Sequence, residues 1–326
     1  MIFPYTVRLL CLCFACFFLL NGALSLAAWI CCKPGKELTA QMRPGAAARL
    51  LLGLRLLPSA LAVFVVASLC VPSYLWLEPV GTGERVGAIC ALLGALGVAS
   101  WIGSLGRAGR ALVASVRCNR LCGTEMREIR IAGKGFCASV VDVDAPLLAI
   151  AGLIQPRLIV SRGVLDALSP EELDAALRHE NAHRVSRDNF KRLLVLLAPD
   201  TLPFVKGFRA LERSWAKLAE WAADDEAAEG DARRALSLAG ALVRVAQMGA
   251  GPRLSFLHTS LVAGDRDFSA RVERLLRTEA SVARSDRRSS FLLRGAIGLL
   301  AACLAAVMVW PGMLLGVHRL LELFLR

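Results

Sequence analysis

Residues 169–188 read SPEELDAALRHENAHRVSRD. Ser169, then Pro170, then Glu172 three residues after the serine make a capping box with proline at the first helical position, which predicts a helix from about Pro170 to Arg187. Inside it, Arg178-His179-Glu180-Asn181-Ala182-His183 is an HExxH sequence. Residues four apart share one helical face a turn apart, so His179 and His183 can present two imidazole nitrogens to a single zinc ion. Glu180 is rotated from that pair yet reaches the open coordination position, where a reacting water would sit. Arg184 is a departure, because such helices usually carry an uncharged residue directly after the second histidine.

Catalytic zinc takes three protein ligands plus water, so a third ligand must come from another element. Leu218-Ala219-Glu220-Trp221-Ala222-Ala223-Asp224-Asp225 offers one. Glu220 and Asp224 are four apart, so Glu220 can bind the metal while Asp224 accepts the spare N–H of a ligand histidine. Trp215, Leu218 and Ala222 would pack this helix on its neighbours. The alternative is a solvated acidic face that Glu220 and Asp224 share with Asp225, Glu226 and Glu229. Glu212 and Glu226 are weaker ligand candidates, because neither opens an ExxxD pair.

Short β-like runs precede the HExxH helix: Ile129 and Ile131, Ala138 to Val143, Leu147 to Ala151, and Leu158 to Val160, punctuated by Gly133, Gly135, Pro146, Gly152 and Pro156. Further helices are expected over about Phe208 to Glu229, stopped by Gly230, and over about Ala232 to Met248. The segment is therefore expected to be α+β, with a small sheet first and helices after it.

Outside this segment the chain is apolar. Of its 326 residues 56% are hydrophobic and 20% charged, too apolar for a water-soluble globule, and its high apolar content and lack of repeats exclude disordered and fibrous classes. Four uncharged stretches are long enough to cross a bilayer: Leu9 to Cys32, Leu56 to Leu77, Val86 to Gly106 and Gly295 to Val317. The first has a cleaved signal peptide as its alternative, with Ser25-Leu26-Ala27 resembling a cleavage site. Lys33, Lys36, Arg43 and Arg49 follow the first stretch, Arg107, Arg110, Arg117 and Arg120 follow the third, and Arg284, Arg287, Arg288 and Arg294 precede the fourth. Basic residues stay on the cytoplasmic side, so the N-terminus is expected outside and the polar insert in the cytoplasm. That insert holds 30 of the 39 basic and 23 of the 27 acidic residues. The net charge of +12 clusters beside the spans without interleaved aromatics, so it reads as a topological address and no direct nucleic-acid partner is expected. Most of the eleven cysteines, Cys11, Cys13, Cys16, Cys31, Cys32, Cys70, Cys90 and Cys303 among them, lie in or beside apolar runs as small hydrophobes. Cys118 with Cys122 lacks a nearby histidine.

An HExxH helix followed some tens of residues later by ExxxD resembles the thermolysin-like gluzincins. Three N-terminal spans, an insert containing LSPEELDAALRHENAHRVSRD and EWAADDEAA, and a fourth span resemble the BlaR/MecR-type membrane metallopeptidases. The resemblance covers the topology of the whole chain and local sequence from about Pro146 to Gly230. It implies an α+β gluzincin metallopeptidase domain inserted between transmembrane helices, in a multi-pass α-helical membrane protein with three plus one spans. Residues 1–106 would hold three spans (about 9–32, 56–77 and 86–106), 107–294 the cytoplasmic zinc metallopeptidase domain, and 295–326 the fourth span and a short tail. One Zn2+ per chain would be held by His179, His183 and Glu220, with Glu180 as general base and Asp224 orienting His179. PLLAIAGLIQPRLIVSRGVL, from Pro146, would supply an edge strand pairing with the substrate backbone, at Leu148, Ala149, Ile150 and Ala151. Asp188 would cap or brace the HExxH helix. Sensor members carry a β-lactam-binding domain beyond the fourth span; this sequence stops at Arg326, so sensing through an appended domain of that kind is not expected.

The expected chemistry is peptide-bond hydrolysis, with zinc lowering the pKa of water and Glu180 moving its proton. His258 is a candidate oxyanion stabiliser, with an ordinary loop histidine as the alternative, and Arg271 either joins the site or braces the domain. His318 is expected at the membrane interface. The leading expectation is a regulatory membrane protease of the bacterial-type cytoplasmic (inner) membrane, in contact with membrane lipid. It would cleave a cytoplasmic protein or peptide, such as a transcriptional repressor. A quality-control protease of the HtpX type is the second, although such chains divide their spans two and two. A non-catalytic basic membrane scaffold, with an accidental HExxH, is the third.

Overall fold

The apolar runs of the N-terminal third become long helices that lie against one another. The computed structural model describes residues 4–40, 42–78, 86–121, 126–131, 134–153, 156–201, 207–249, 259–260, 265–277 and 311–325. Helix α1 spans Tyr5–Ala40 and α2 spans Pro44–Val65. A π-helical turn over Val66–Cys70 joins α2 to α3, Val71–Leu77, and α4 spans Ala88–Leu121. Three segments here are long and apolar enough to cross a membrane: Tyr5–Ile30, Pro44–Leu77 and Ala88–Arg117. They match the first three expected spans. Residues 295–310 of the expected fourth lie outside the described residues, and Pro311–Leu325 is helix α11, which packs beside α3 through Ser73 Oγ donating to the Leu314 carbonyl. Helices α1 and α4 cross closely enough that a Cβ on Gly97 would stand 2.3 Å from the Phe14 carbonyl oxygen. Only glycine admits that approach.

The polar insert folds as a small mixed sheet covered by helices. Strands β1 (Met126–Ile131), β2 (Lys134–Val141), β3 (Leu148–Ala151), β4 (Arg157–Ser161) and β5 (Thr259–Ser260) lie in the order β1-β2-β4-β3-β5. The β2–β4 pair is parallel and the others antiparallel. The first four strands fall on the β-like runs of the sequence. One expectation is corrected: β3 is not an edge strand over its whole length, because Ala149 pairs with Ser260 and Ile150 with Thr259. An open row of backbone N–H and C=O groups takes a partner, and here a segment of the same chain supplies it.

Helices α5 (Arg162–Ala167), α6 (Pro170–Ser186), α7 (Asp188–Leu197), α8 (Gly207–Ala228), α9 (Ala232–Gln247) and α10 (Asp265–Leu276) complete the insert. The capping box of α6 forms as expected: Ser169 Oγ accepts from the Glu172 amide at 3.2 Å and Glu172 Oε2 from the Ser169 amide at 2.9 Å. Arg187, in the left-handed region at φ 56°, ends α6 and turns the chain into α7. The apolar faces of α6 and α9 meet the sheet in one core around Leu177, Leu238, Leu242, Leu148 and Val160. A separate cluster docks α8 on α2 through Ala48 and Leu51 against Leu211 and Trp215, so Trp215 packs as the sequence predicts.

Candidate metal centre

Two crossing helices supply the site. From α6 come His179, Glu180 and His183, all buried; from α8 come Glu220 and Asp224, also buried. His179 Nε2 and His183 Nε2 stand 3.2 Å apart, and Glu220 Oε2 is 3.5 Å from the first and 3.6 Å from the second. A tetrahedral ion about 2.0–2.1 Å from each ligand holds them about 3.3 Å apart, so the donor set fits a zinc-sized ion. Among the described residues this is the one group of three such ligands able to hold a metal ion.

The nitrogens facing away from that point are also engaged. His179 Nδ1 lies 3.0 Å from Asp224 Oδ1, the histidine the resemblance implies for it, as an ion-pair contact without hydrogen-bond alignment. His183 Nδ1 lies 2.7 Å from Asp188 Oδ2, which gives Asp188 the same role on the second ligand, more than the capping or bracing expected of it. Carboxylates on the outer nitrogens fix the tautomer that leaves Nε2 free to coordinate. Lys191 Nζ holds the other oxygen of Asp188 at 2.7 Å.

Arg271, left open by the sequence between site and brace, reaches in from α10. Its Nε and Nη2 grip Asp224 at 2.9 and 2.7 Å, and Nη1 lies 3.2 Å from Glu220 Oε2. It thus fixes the carboxylate that orients His179. Burial would raise the Asp224 carboxyl, but His179 and Arg271 hold it below the usual range. At His183 burial works downward, yet Glu220 and Asp188 outweigh it and push the imidazole up to about 10.

Glu180 differs from its neighbours. It is fully buried, neither carboxylate oxygen has a hydrogen-bond partner, and burial pushes its carboxyl up to about 7 despite the adjacent histidines. A carboxylate poised near neutrality can both take and return a proton. Arg184 turns to solvent and donates to Asn181 Oδ1, so the charge after the second histidine stays out of the site.

The remaining candidates fall elsewhere. Glu212 pairs with Arg55, and Glu226 is exposed. His258 lies outside the described residues, directly before β5. His318 is on α11, 3.3 Å from Glu322. Leu148 to Ala151 pass beside α6, and Asn189 Nδ2 donates to the carbonyls of Ile150 and Gly152 at 3.0 and 3.2 Å. No local pattern marks Asn189, because its role depends on where the α6–α7 turn meets the end of β3. No protein-family model matches this chain, and no curated protein or solved structure matches it.

Proposed function

We propose that the chain is a membrane zinc metalloendopeptidase with the gluzincin arrangement: His179, His183 and Glu220 as ligands and Glu180 as general base. One observation carries the proposal: three ligand atoms spaced for a tetrahedral ion stand beside a buried, unpartnered glutamate on the same helix. An accidental HExxH on a scaffold would give no reason for Glu220 to complete the set, nor for Asp188 and Asp224 to occupy both outer nitrogens.

Zinc bound there would supply Lewis acidity and a water of lowered pKa. The protein's part is positional. Asp188 and Asp224 hold the imidazoles, Arg271 fixes Asp224, and Glu180 takes the proton of the attacking water and delivers it to the leaving amine. Because β5 covers Ala149 and Ile150, an extended substrate pairing there would have to displace Thr259–Ser260 or use the remainder of β3.

The basic residues flanking the spans support a cytoplasmic catalytic domain and an outside N-terminus. A regulatory protease of the BlaR/MecR kind, acting on a cytoplasmic protein such as a transcriptional repressor, fits that placement. The test is to purify the protein in detergent, measure bound zinc, and compare its cleavage of itself and of a general protein substrate with that of Glu180→Gln. Zinc with cleavage only by the wild type is expected; absence of zinc, or equal cleavage by both, overturns the proposal.

A further inference from the structure

One buried amide of the insert is only half satisfied. Asn189, 6% exposed at the start of α7, donates from Nδ2 to the carbonyls of Ile150 at 3.0 Å and Gly152 at 3.2 Å. Its Oδ1 is buried and has no hydrogen-bond partner among the described residues. A flipped amide would set that oxygen against two carbonyl oxygens, so the two acceptors fix the orientation of the group. Capping β3 accounts for the nitrogen, but it gives the oxygen nothing to do. A buried acceptor without a donor is destabilising and calls for a cause.

The amide stands on the outer edge of β3. The Ser161 amide donates to the Leu147 carbonyl at 2.7 Å, so Leu147 and, by alternation, Ala149 and Ala151 turn their backbone groups toward β4. Leu148 and Ile150 turn theirs to the opposite edge, the one on which β5 pairs with Ala149 and Ile150. Asn189 meets the Ile150 carbonyl there and continues to Gly152, where a φ of 98° takes the chain out of the strand. A carboxamide carries a donor and an acceptor as a peptide group does; here the donor is spent on β3 and the acceptor remains. The preceding residue, Asp188, holds His183 Nδ1 at 2.7 Å, so adjacent residues tie this edge to the metal centre.

We propose that Asn189 is a substrate-binding residue: its Oδ1 accepts one backbone N–H of an extended peptide, beside the scissile bond, and so fixes the register of that peptide against the metal centre. The inference rests on the peptidase reading and deepens it. A chain laid along this edge finds the carbonyls of Ile150 and Gly152 already engaged by Nδ2, and meets Oδ1 as the acceptor in their place. Two bonds to β3 hold the amide before the substrate arrives, so little side-chain freedom is lost on binding. The amine of the scissile bond itself is left to Glu180.

The test uses the full zinc-loaded chain in detergent. Casein is digested, a cut is located by mass spectrometry, and a short peptide spanning it is synthesised. The peptide is then remade with each backbone N–H except that of the scissile bond replaced in turn by an ester oxygen, which removes one donor and keeps the shape. In the wild type, one of these replacements is expected to lower kcat/KM by about tenfold, and in Asn189→Ala the same replacement should cost almost nothing. Asn189→Ala should also lower kcat/KM for the all-amide peptide, while its zinc affinity by chelator competition stays at the wild-type level. Loss of the bonds to β3 would slow every peptide alike, so the coupling at one position reports the oxygen. Asn189→Ser, which keeps a polar group at the end of β3 but lacks Oδ1, serves the same comparison if the alanine variant does not fold. The same ester penalties in wild type and variant, or loss of zinc from Asn189→Ala, overturn this inference alone. A wild type that cuts no casein overturns the peptidase reading and this inference with it.

Discussion

Two charge clusters touch helix α8, one half-buried and one buried, and they are built on opposite principles. Near its start, Arg55 from α2 donates from Nε to Glu212 at 2.8 Å and from Nη2 to Asp200 at 2.7 Å, while Arg107 from α4 lies 3.2 Å from the other oxygen of Asp200. Asn21 of α1 donates to the Pro199 carbonyl at 3.1 Å and accepts from Ser59 of α2 at 3.2 Å. Two cations face two anions, and none of these groups is left as a buried atom without a partner. Two to three turns further along α8 the balance fails. Four carboxylates, Glu180, Asp188, Glu220 and Asp224, meet Arg271 and Lys191 in close contact, with Arg192 farther off at 3.7 Å, and both oxygens of Glu180 and of Glu220 lack a hydrogen-bond partner. A closed cluster is a joint between spans and insert. A cluster short of positive charge, with its nitrogens aimed at one point, fits a cation.

The largest effect expected from that contrast is on hydrolysis. Glu180→Gln should lower the peptidase rate by about a hundred- to ten-thousandfold while zinc content stays at the wild-type level. Loss of zinc together with activity would mean that Glu180 belongs to the structure of the site instead. His183→Ala and Glu220→Gln should leave the protein without zinc after dialysis, read by elemental analysis, because three protein ligands become two. Asp188→Asn and Asp224→Asn keep the ligands but loosen their orientation, and zinc affinity measured by chelator competition should fall about 10- to 100-fold.

The joint should answer differently. Arg55→Met leaves Asp200 and Glu212 facing an apolar residue. Since both carboxylates are about one third exposed, the cost should be about 2 kcal/mol, below that of breaking a fully buried pair. Thermal unfolding in detergent would show it. Adding Glu212→Gln should restore part of the loss, since Asp200 keeps Arg107 and no carboxylate of the joint is then left without a cation. Zinc affinity should change little in either variant. A large loss of zinc from Arg55→Met would mean that the two clusters are not independent along α8.

The two clusters were also unequally legible in the sequence. His179, Glu180, His183, Glu220 and Asp224 could be read from spacing alone, because each pair is four apart or adjacent on a helix, and helical geometry converts spacing into position. The capped start of α6, the first four strands and the three spans were legible for the same reason, being local periodicity and punctuation. Arg55 sits at the margin of an apolar run, where a basic residue reads as a topological signal, and its partners are 145 and 157 residues away. Asp188 was noticed for its position but not for its bond to His183, which exists because Arg187 takes a left-handed turn. The short β5 carries no strand signal of its own; two residues gain that state only from the open side of β3.

The smallest effect is a proton count, and it separates the clusters without a mutation. Without metal, the His183 imidazole is pushed up to about 10, so at pH 7 to 8 it carries a proton that a ligating nitrogen cannot keep. Zinc uptake should therefore release at least one proton per ion, seen as a calorimetric heat that varies with the ionisation enthalpy of the buffer. Zinc affinity should rise about tenfold per pH unit over that range for each proton released. The linkage has the opposite sign for the metal-free fold. A group whose folded pKa is raised stabilises below its unfolded pKa and loses that contribution as pH climbs through the folded value. His183 does so between about 6.5 and 10, and Glu180, raised to about 7, does so between about 4.5 and 7. Metal-free protein should thus lose stability from pH 6 to pH 9 while zinc-loaded protein does not. Replacing Asp188 by asparagine removes one of the groups holding the His183 proton, so fewer protons should be released at pH 8. A proton count of zero would mean that His183 is already neutral without metal and that the charge deficit at the centre is met in some other way.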